Sequence, residues 1–166
     1  MSVDLNITAS ITGAYSATRD LANVEQNLKV KASYALATGT TAGKADLVFT
    51  DTRTLSASSS EELDLAGVLE DAFGATLTFV KVVAIYVKAA AGNTNNVVVG
   101  GAASNGFAAP FGDATDTVKV GPGGVFLLAN DAGYAVTAST GDLLKIANGG
   151  SGSSVTYDIV IVGRSA

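Results

Sequence analysis

The densest chemistry in this chain is a run of five carboxylates, Glu61, Glu62, Asp64, Glu70 and Asp71, with no Lys or Arg between Arg53 and Lys81. Two such groups can act as acid and base across a glycosidic bond, or offer hard oxygen ligands to a cation. Little else in the chain supports such chemistry. There is no His to move protons near neutral pH, and no Cys to supply a thiolate nucleophile, a thiolate metal site or a disulfide. Ser153 and Ser154 therefore have no triad partner. The chain has no Trp, and no aromatic residue lies between Glu61 and Asp71 to stack a sugar. Two non-catalytic readings stand: a solvated acidic edge, or an electrostatic dock for a basic partner in which Glu61, Glu62 and Asp64 are contacts.

Asp113 and Asp116, with Asn93, Asn95 and Asn96, carry oxygens that suit Ca²⁺, but their spacing is not that of an EF-hand loop. Asx residues in turns of this kind ordinarily bond their own backbone. Gly121, Gly123 and Gly124 form no phosphate loop, because GxxxxGK[ST] is absent and no helix follows; they read as a hairpin turn. No catalytic residue, cofactor or metal ligand is assigned, and the chain reads as a non-enzyme.

The elements that must position any functional surface are strands. Ala75–Lys88 is the longest run of strand-forming residues; Leu77, Phe79, Val83, Ile85 and Val87 alternate on one side, interrupted by Lys81. Its second face is half apolar, as in a central strand or one at a subunit contact. Val3, Leu5, Ile7, Ala9 and Ile11 alternate with polar residues, predicting a half-buried strand. Residues 1–12 are either a first strand of the body or an N-terminal arm that pairs with a neighbour. Gly13–Asn23 reads as a connection, Asn27–Thr38 as a second strand and Asp46–Leu55 as a third.

Glu61–Gly74 is ambiguous: Ser59 and Glu62 resemble a capping box and Gly74 a residue just past a helix end, so a strand running into one helical turn is expected, with a short strand Leu63–Leu65 followed by a turn as the alternative. Short strands follow at Val97–Gly100, Thr117–Val120, Val125–Ala129, Tyr134–Thr137, Leu143–Ala147 and Val155–Gly163, with Asn148–Ser154 as a flexible hairpin tip. Gly101–Thr115 is a long loop carrying Phe107, Pro110 and Phe111, which either plug the core or meet a partner. The pattern predicts a single all-β domain. It is an antiparallel β-sandwich or jelly roll of eight to ten short strands, with at most one short helix.

At 166 residues, one hydrophobic core suffices without staples. Charged residues make up only 15% of the chain, against about 25% in an average domain, so its surface is either Ser/Thr-rich or partly covered by other chains. A net charge of −5 with scattered basic residues argues against a nucleic-acid phosphate footprint. No stretch approaches 18 apolar residues, so no membrane partner is expected, and MSVDLNITASITG lacks the basic and apolar regions of a secretory signal.

Several stretches carry a resemblance. They are Phe49-Thr50-Asp51-Thr52-Arg53-Thr54-Leu55, Leu63-Asp64-Leu65-Ala66-Gly67, Asp71-Ala72-Phe73-Gly74, Gly121-Pro122-Gly123-Gly124-Val125-Phe126-Leu127-Leu128 and Gly141-Asp142-Leu143-Leu144-Lys145-Ile146. In style and order they resemble small virion structural proteins of tailed bacteriophages, of the head-decoration or cement type, over roughly residues 45–163. The resemblance implies a β-sandwich without catalytic residues. It would be made in the host cytoplasm without a signal peptide and incorporated in the virion, binding the major capsid protein on the outer shell as an oligomer, expected to be a homotrimer. The alternative is a tail or fibre module that recognises a host-surface glycan or protein through Tyr86, Phe107, Phe111 and Tyr134.

Overall fold

A computed structural model describes residues 2–166, and among them there is no helix. The strands are β1 (Asp4–Thr18), β2 (Asn23–Thr38), β3 (Lys44–Ala45), β4 (Leu47–Leu55), β5 (Ser60–Asp64), β6 (Lys81–Ala89), β7 (Val97–Gly100), β8 (Thr117–Val120), β9 (Val125–Ala135), β10 (Leu143–Asn148) and β11 (Val155–Arg164). They form three sheets, β4-β11-β6-β9, β5-β10-β7-β8 and β1-β2-β3. Every pairing is antiparallel except the two-residue contact of β2 with β3. Counting the eight body strands from β4 as one, the two four-stranded sheets read 1-8-3-6 and 2-7-4-5. That is the order of a jelly roll, so the all-β sandwich expected from the alternation is present, with eleven strands in all.

The inner faces of the two body sheets make the main core. Phe49, Ile85, Val87, Tyr157, Ile159 and Ile161 of one sheet meet Leu63, Val97, Val99, Leu144 and Ile146 of the other. Each such side chain contributes about 1.5–3 kcal/mol on burial, which makes this layer the main source of stability. The outer face of the β4-β11-β6-β9 sheet is covered at one end by a second, smaller core. There Val3 and Leu36 pack on Val83, Ala84 and Val162. The cover that the mixed second face of the central run demanded is thus supplied by the chain's own N-terminal residues.

Four expectations are corrected. First, the central run becomes strand only from Lys81. Before it Leu77 and Phe79 are buried as predicted, but their N–H groups bond the carbonyls of Leu69 and Leu65, at 2.7 and 2.8 Å, rather than a ladder. A bulge against β9, between Val82 and Ala84, then changes the phase. Val82 faces the main core while Val83 and Ala84 both face the hairpin base.

Second, no helical turn follows Glu61; the alternative of a short strand followed by a turn is what forms, with the strand at Ser60–Asp64 rather than Leu63–Leu65. Ser60–Asp64 pairs with β10, and the Asp64 carboxylate accepts the Ala66 N–H at 2.8 Å, closing a turn that competes with a helix. Ser59 bonds backward to the Ser56 carbonyl, and Gly74, at φ +82°, closes the Asp71–Gly74 turn. Third, neither Gly121–Gly124 nor Asn148–Ser154 is a hairpin, because each links strands of different sheets. The second is pinned rather than loose: the buried Asn148 amide donates to the Ser56 and Ser153 carbonyls at 3.0 and 2.8 Å. Fourth, Gly13–Asn23 is not a connection. The first strand continues to Thr18, a four-residue tip turns the chain, and the second strand starts at Asn23. The result is one hairpin, about 50 Å long at ~3.4 Å per residue, that joins neither body sheet.

Candidate assembly interface

The register of the hairpin explains its character. Leu5 lies opposite Leu36, Ile7 opposite Tyr34, Ala9 opposite Ala32, Ile11 opposite Val30, Gly13 opposite Leu28, Tyr15 opposite Gln26 and Ala17 opposite Val24. Side chains of directly opposed residues share a face, so these rows build one apolar stripe along the ribbon. The intervening rows put Thr8 with Ser33, Ser10 with Lys31, Thr12 with Lys29 and Ser16 with Glu25 on the other face. Exposed hydrogen bonds between Ser33 and Asn6, at 3.0 Å, and Tyr15 and Gln26, at 2.5 Å, tie the two strands together.

Only the base of the stripe is covered. Val3 and Leu36 are buried, Leu5, Ile7 and Tyr34 are half-buried, and from Ala9 onward every residue to the tip is exposed. Ile11 is 68% exposed, Val30 61%, Tyr15 59% and Val24 54%. Leu21, at the tip, is 98% exposed. The alternation read from the sequence is real, but its apolar side faces solvent because nothing in this chain lies over it. Where the ribbon leaves the body it forms apolar notches. One, of about 370 Å³, lies between Leu5 and Ile7 and the sheet residues Tyr86, Leu127, Val160 and Val162. Another, of about 230 Å³, lies under Tyr34 against Leu127, Leu128 and Ala129.

The ribbon's root is anchored by a buried cation. Arg164, 2% exposed, donates from Nη1 to the carbonyls of Thr41 and Asp131, at 3.1 and 2.9 Å, and from Nη2 to that of Ala132. It thereby ties the loop after β2 to the outlooped segment of β9 and to the end of β11.

The contacts expected from the sequence fall elsewhere and are not brought together. Phe107 is 3% exposed and belongs to the main core, its N–H bonded to the Leu143 carbonyl at 2.9 Å; Phe111 packs on that core, and Pro110 is half-buried beside it. The long loop thus plugs the sandwich, the commoner of its two readings. Tyr134 packs on the same core while Tyr86 lies on the opposite face of its sheet, so these four aromatics form no common platform.

Glu61 is a structural acid. Its carboxylate accepts Arg53 Nε at 2.7 Å and the Tyr157 hydroxyl at 2.6 Å, and Arg53 also pairs with Asp51 at 2.6 Å. This cluster spans the two body sheets. The Glu61 hydrogen bond is the main influence holding the Arg53 guanidinium further above its already high range, and burial, followed by Glu61, pushes the Tyr157 phenol up. Asp64 and Asp71 close turns, Asp71 accepting the Phe73 and Ala75 N–H groups at 2.8 and 2.9 Å. Glu62 and Glu70 stay solvated.

Three of the five Asx residues considered for Ca²⁺ bond the protein through their side chains. Asn93 brackets Thr156, Asn95 bonds Asn148 and Ser153, and Asp113 accepts the Thr115 N–H, which lowers its pKa. Among the described residues no group of three or more His, Cys, Asp or Glu could hold a metal ion. What the sequence reading missed is the tip half of the ribbon, Tyr15, Leu21 and Val24, although Ala14–Asn27 carries a hairpin's alternation once its turn is placed at Arg19–Ala22.

No family model matches the chain, and no curated protein or solved structure is significantly similar to it.

Proposed function

We propose that this chain is a non-enzymatic structural protein of a tailed-bacteriophage particle, which binds the outside of the capsid as an oligomer and holds neighbouring shell subunits together. The observation that carries the reading is the division of the molecule into a closed jelly-roll body and a long ribbon whose apolar face is exposed. A monomeric protein seldom presents a contiguous apolar patch beyond a few hundred Å² unless something binds it. Jelly rolls build viral shells, though they also build lectins and cupins, so the fold supports the reading only as analogy. The low charge and the sequence resemblance point the same way.

In this role the body supplies bulk and rigidity and the ribbon supplies reach. A protein that binds only the assembled lattice stabilises it by mass action, by about 2.7 kcal/mol per site at a hundredfold excess over Kd. Several linked copies multiply this by effective concentration. Adding the purified protein to empty shells is expected to raise their thermal midpoint, and electron cryo-microscopy of the particle is expected to show the chain on the outer capsid. An unchanged midpoint, or density at the tail alone, would overturn the proposal.

A further inference from the structure

We propose that the exposed apolar stripe of the ribbon is covered by the same stripe of a second copy of this chain, so that the protein self-associates arm to arm. This names a partner for the surface on which the proposed function rests. Three observations select a copy of the same chain over an unrelated protein.

The first is area. Ile11, Tyr15, Val24, Leu28 and Val30, exposed by 38–68%, present roughly 500 Å², approaching the ~600 Å² per partner at the low end of a standard stable interface.

The second is charge. Residues 4–38 carry three basic groups, Arg19, Lys29 and Lys31, and three acidic ones, Asp4, Asp20 and Glu25, a net of zero. The whole net charge of −5 therefore lies on the rest of the chain. Two bodies repel one another, whereas two ribbons do not. Lys29, Lys31, Asp4 and Glu25 lie on the polar face, and Arg19 borders the stripe only at its tip end, beside Tyr15, Ala17 and Val24, so two stripes meet across the Ile11–Val30 centre without burying a charge or apposing like ones. An acidic or basic partner would find no counter-charge along that centre.

The third is relief. The Ala9–Ala32 row leaves a hollow of about 220 Å³ beside the Ile11–Val30 ridge, and Gly13 leaves another gap opposite Leu28. Ridges and hollows of matching scale on one surface are what packing against its own copy requires.

The test is sedimentation of the purified full-length protein, with no shells present. The wild type is expected at a multiple of 16.5 kDa, and Ile11→Lys/Val30→Lys at the single-chain mass. Ile11→Thr/Val30→Thr, which keeps β-branched residues at both sites, is expected to weaken association at least tenfold. Ser16→Lys, on the polar face opposite Glu25, is expected to change nothing. A wild type that stays at 16.5 kDa at every concentration, or a double variant that associates like the wild type, would overturn the inference. A monomer that still stabilises shells would defeat the inference, and with it the oligomeric form of the proposed function, while leaving its capsid binding standing. An oligomer lost in the double variants that binds no shell would support the inference while defeating that function.

Discussion

Replacing Glu61 by Gln should destabilise this protein far more than the same change at its neighbour Glu62. The Glu61 carboxylate receives Arg53 Nε on one oxygen and the Tyr157 hydroxyl on the other, linking β5 in one body sheet to β4 and β11 in the other. An amide has one acceptor oxygen, so its NH₂ group must face one of two donors. Hydrogen bonds to charged groups contribute about 1.5–3 kcal/mol. The Glu61 and Arg53 side chains are 19% and 33% exposed, so solvent screens part of this and about 2 kcal/mol is expected to be lost. In a chain of this length that is a fall of about 4–8 °C in Tm. Glu62 is exposed and makes no ion pair among the described residues, so Glu62→Gln should stay within about 0.5 kcal/mol. Urea unfolding of both variants, with Tyr157→Phe and the Glu61→Gln/Tyr157→Phe double variant to close a cycle, measures the coupling. Equal losses at 61 and 62, or additive losses at 61 and 157, would refute the cross-sheet link and return Glu61 to the solvated acidic edge.

Two further outcomes follow from the same packing. Burial and the Glu61 carboxylate raise the folded-state pKa of Tyr157 above the ordinary phenol value of about 10. Its contribution is complete below that pH, and stability should fall as pH rises further, by up to about 1.4 kcal/mol per unit. Tyr157 should gain its phenolate absorbance late in an alkaline titration, and Tyr157→Phe should remove that late step; a titration curve unchanged by Tyr157→Phe would contradict it. At Gly163, where the β11–β6 register shifts, a Cβ would strike the Lys81 carbonyl and lie 2.5 Å from the Phe79 ring. Gly163→Ala should therefore cost about 3 kcal/mol, read as a drop in Tm, while Gly13→Ala, with nothing within 4 Å, should be nearly neutral; equal effects would show that the body relaxes around the intruding methyl.

The body was legible wherever one face of a strand is buried. Alternation at Val155–Gly163 and Leu143–Ala147 located β11 and β10 nearly to the residue because Val155, Tyr157, Ile159 and Ile161 all point into one core. Legibility failed where side-chain bonds override pattern. Nothing local distinguishes a capping box at Ser59 and Glu62 from a strand edge whose turn is closed by Asp64, and only pairing with β10 decides it. It failed again at turns, since Gly121–Gly124 bends the chain equally well within a sheet or between two. The candidate contact residues were chosen by type: of the two readings open to Phe107 the core one holds, and Glu61, read as a solvated or docking charge, is an internal acceptor.

The ribbon is the instructive case, because its pattern was read correctly and its environment was not. Period-2 alternation reports that one face of a strand differs from the other; it does not report what covers the apolar side. At Leu36 the cover is Val83, Ala84 and Val162 of the same chain, whereas six residues earlier Val30 has none. A two-stranded ribbon standing alone in water is marginal at best, and this one exposes its apolar face along most of its length while keeping Asp4, Glu25, Lys29 and Lys31 on the other. Selection for solubility alone would put Lys or Thr at Ile11, Val24 and Val30, as it does at Lys29 and Lys31 one position away. The persistence of a clean stripe beyond the reach of the body is therefore the strongest physical argument that the ribbon's working partner is another chain.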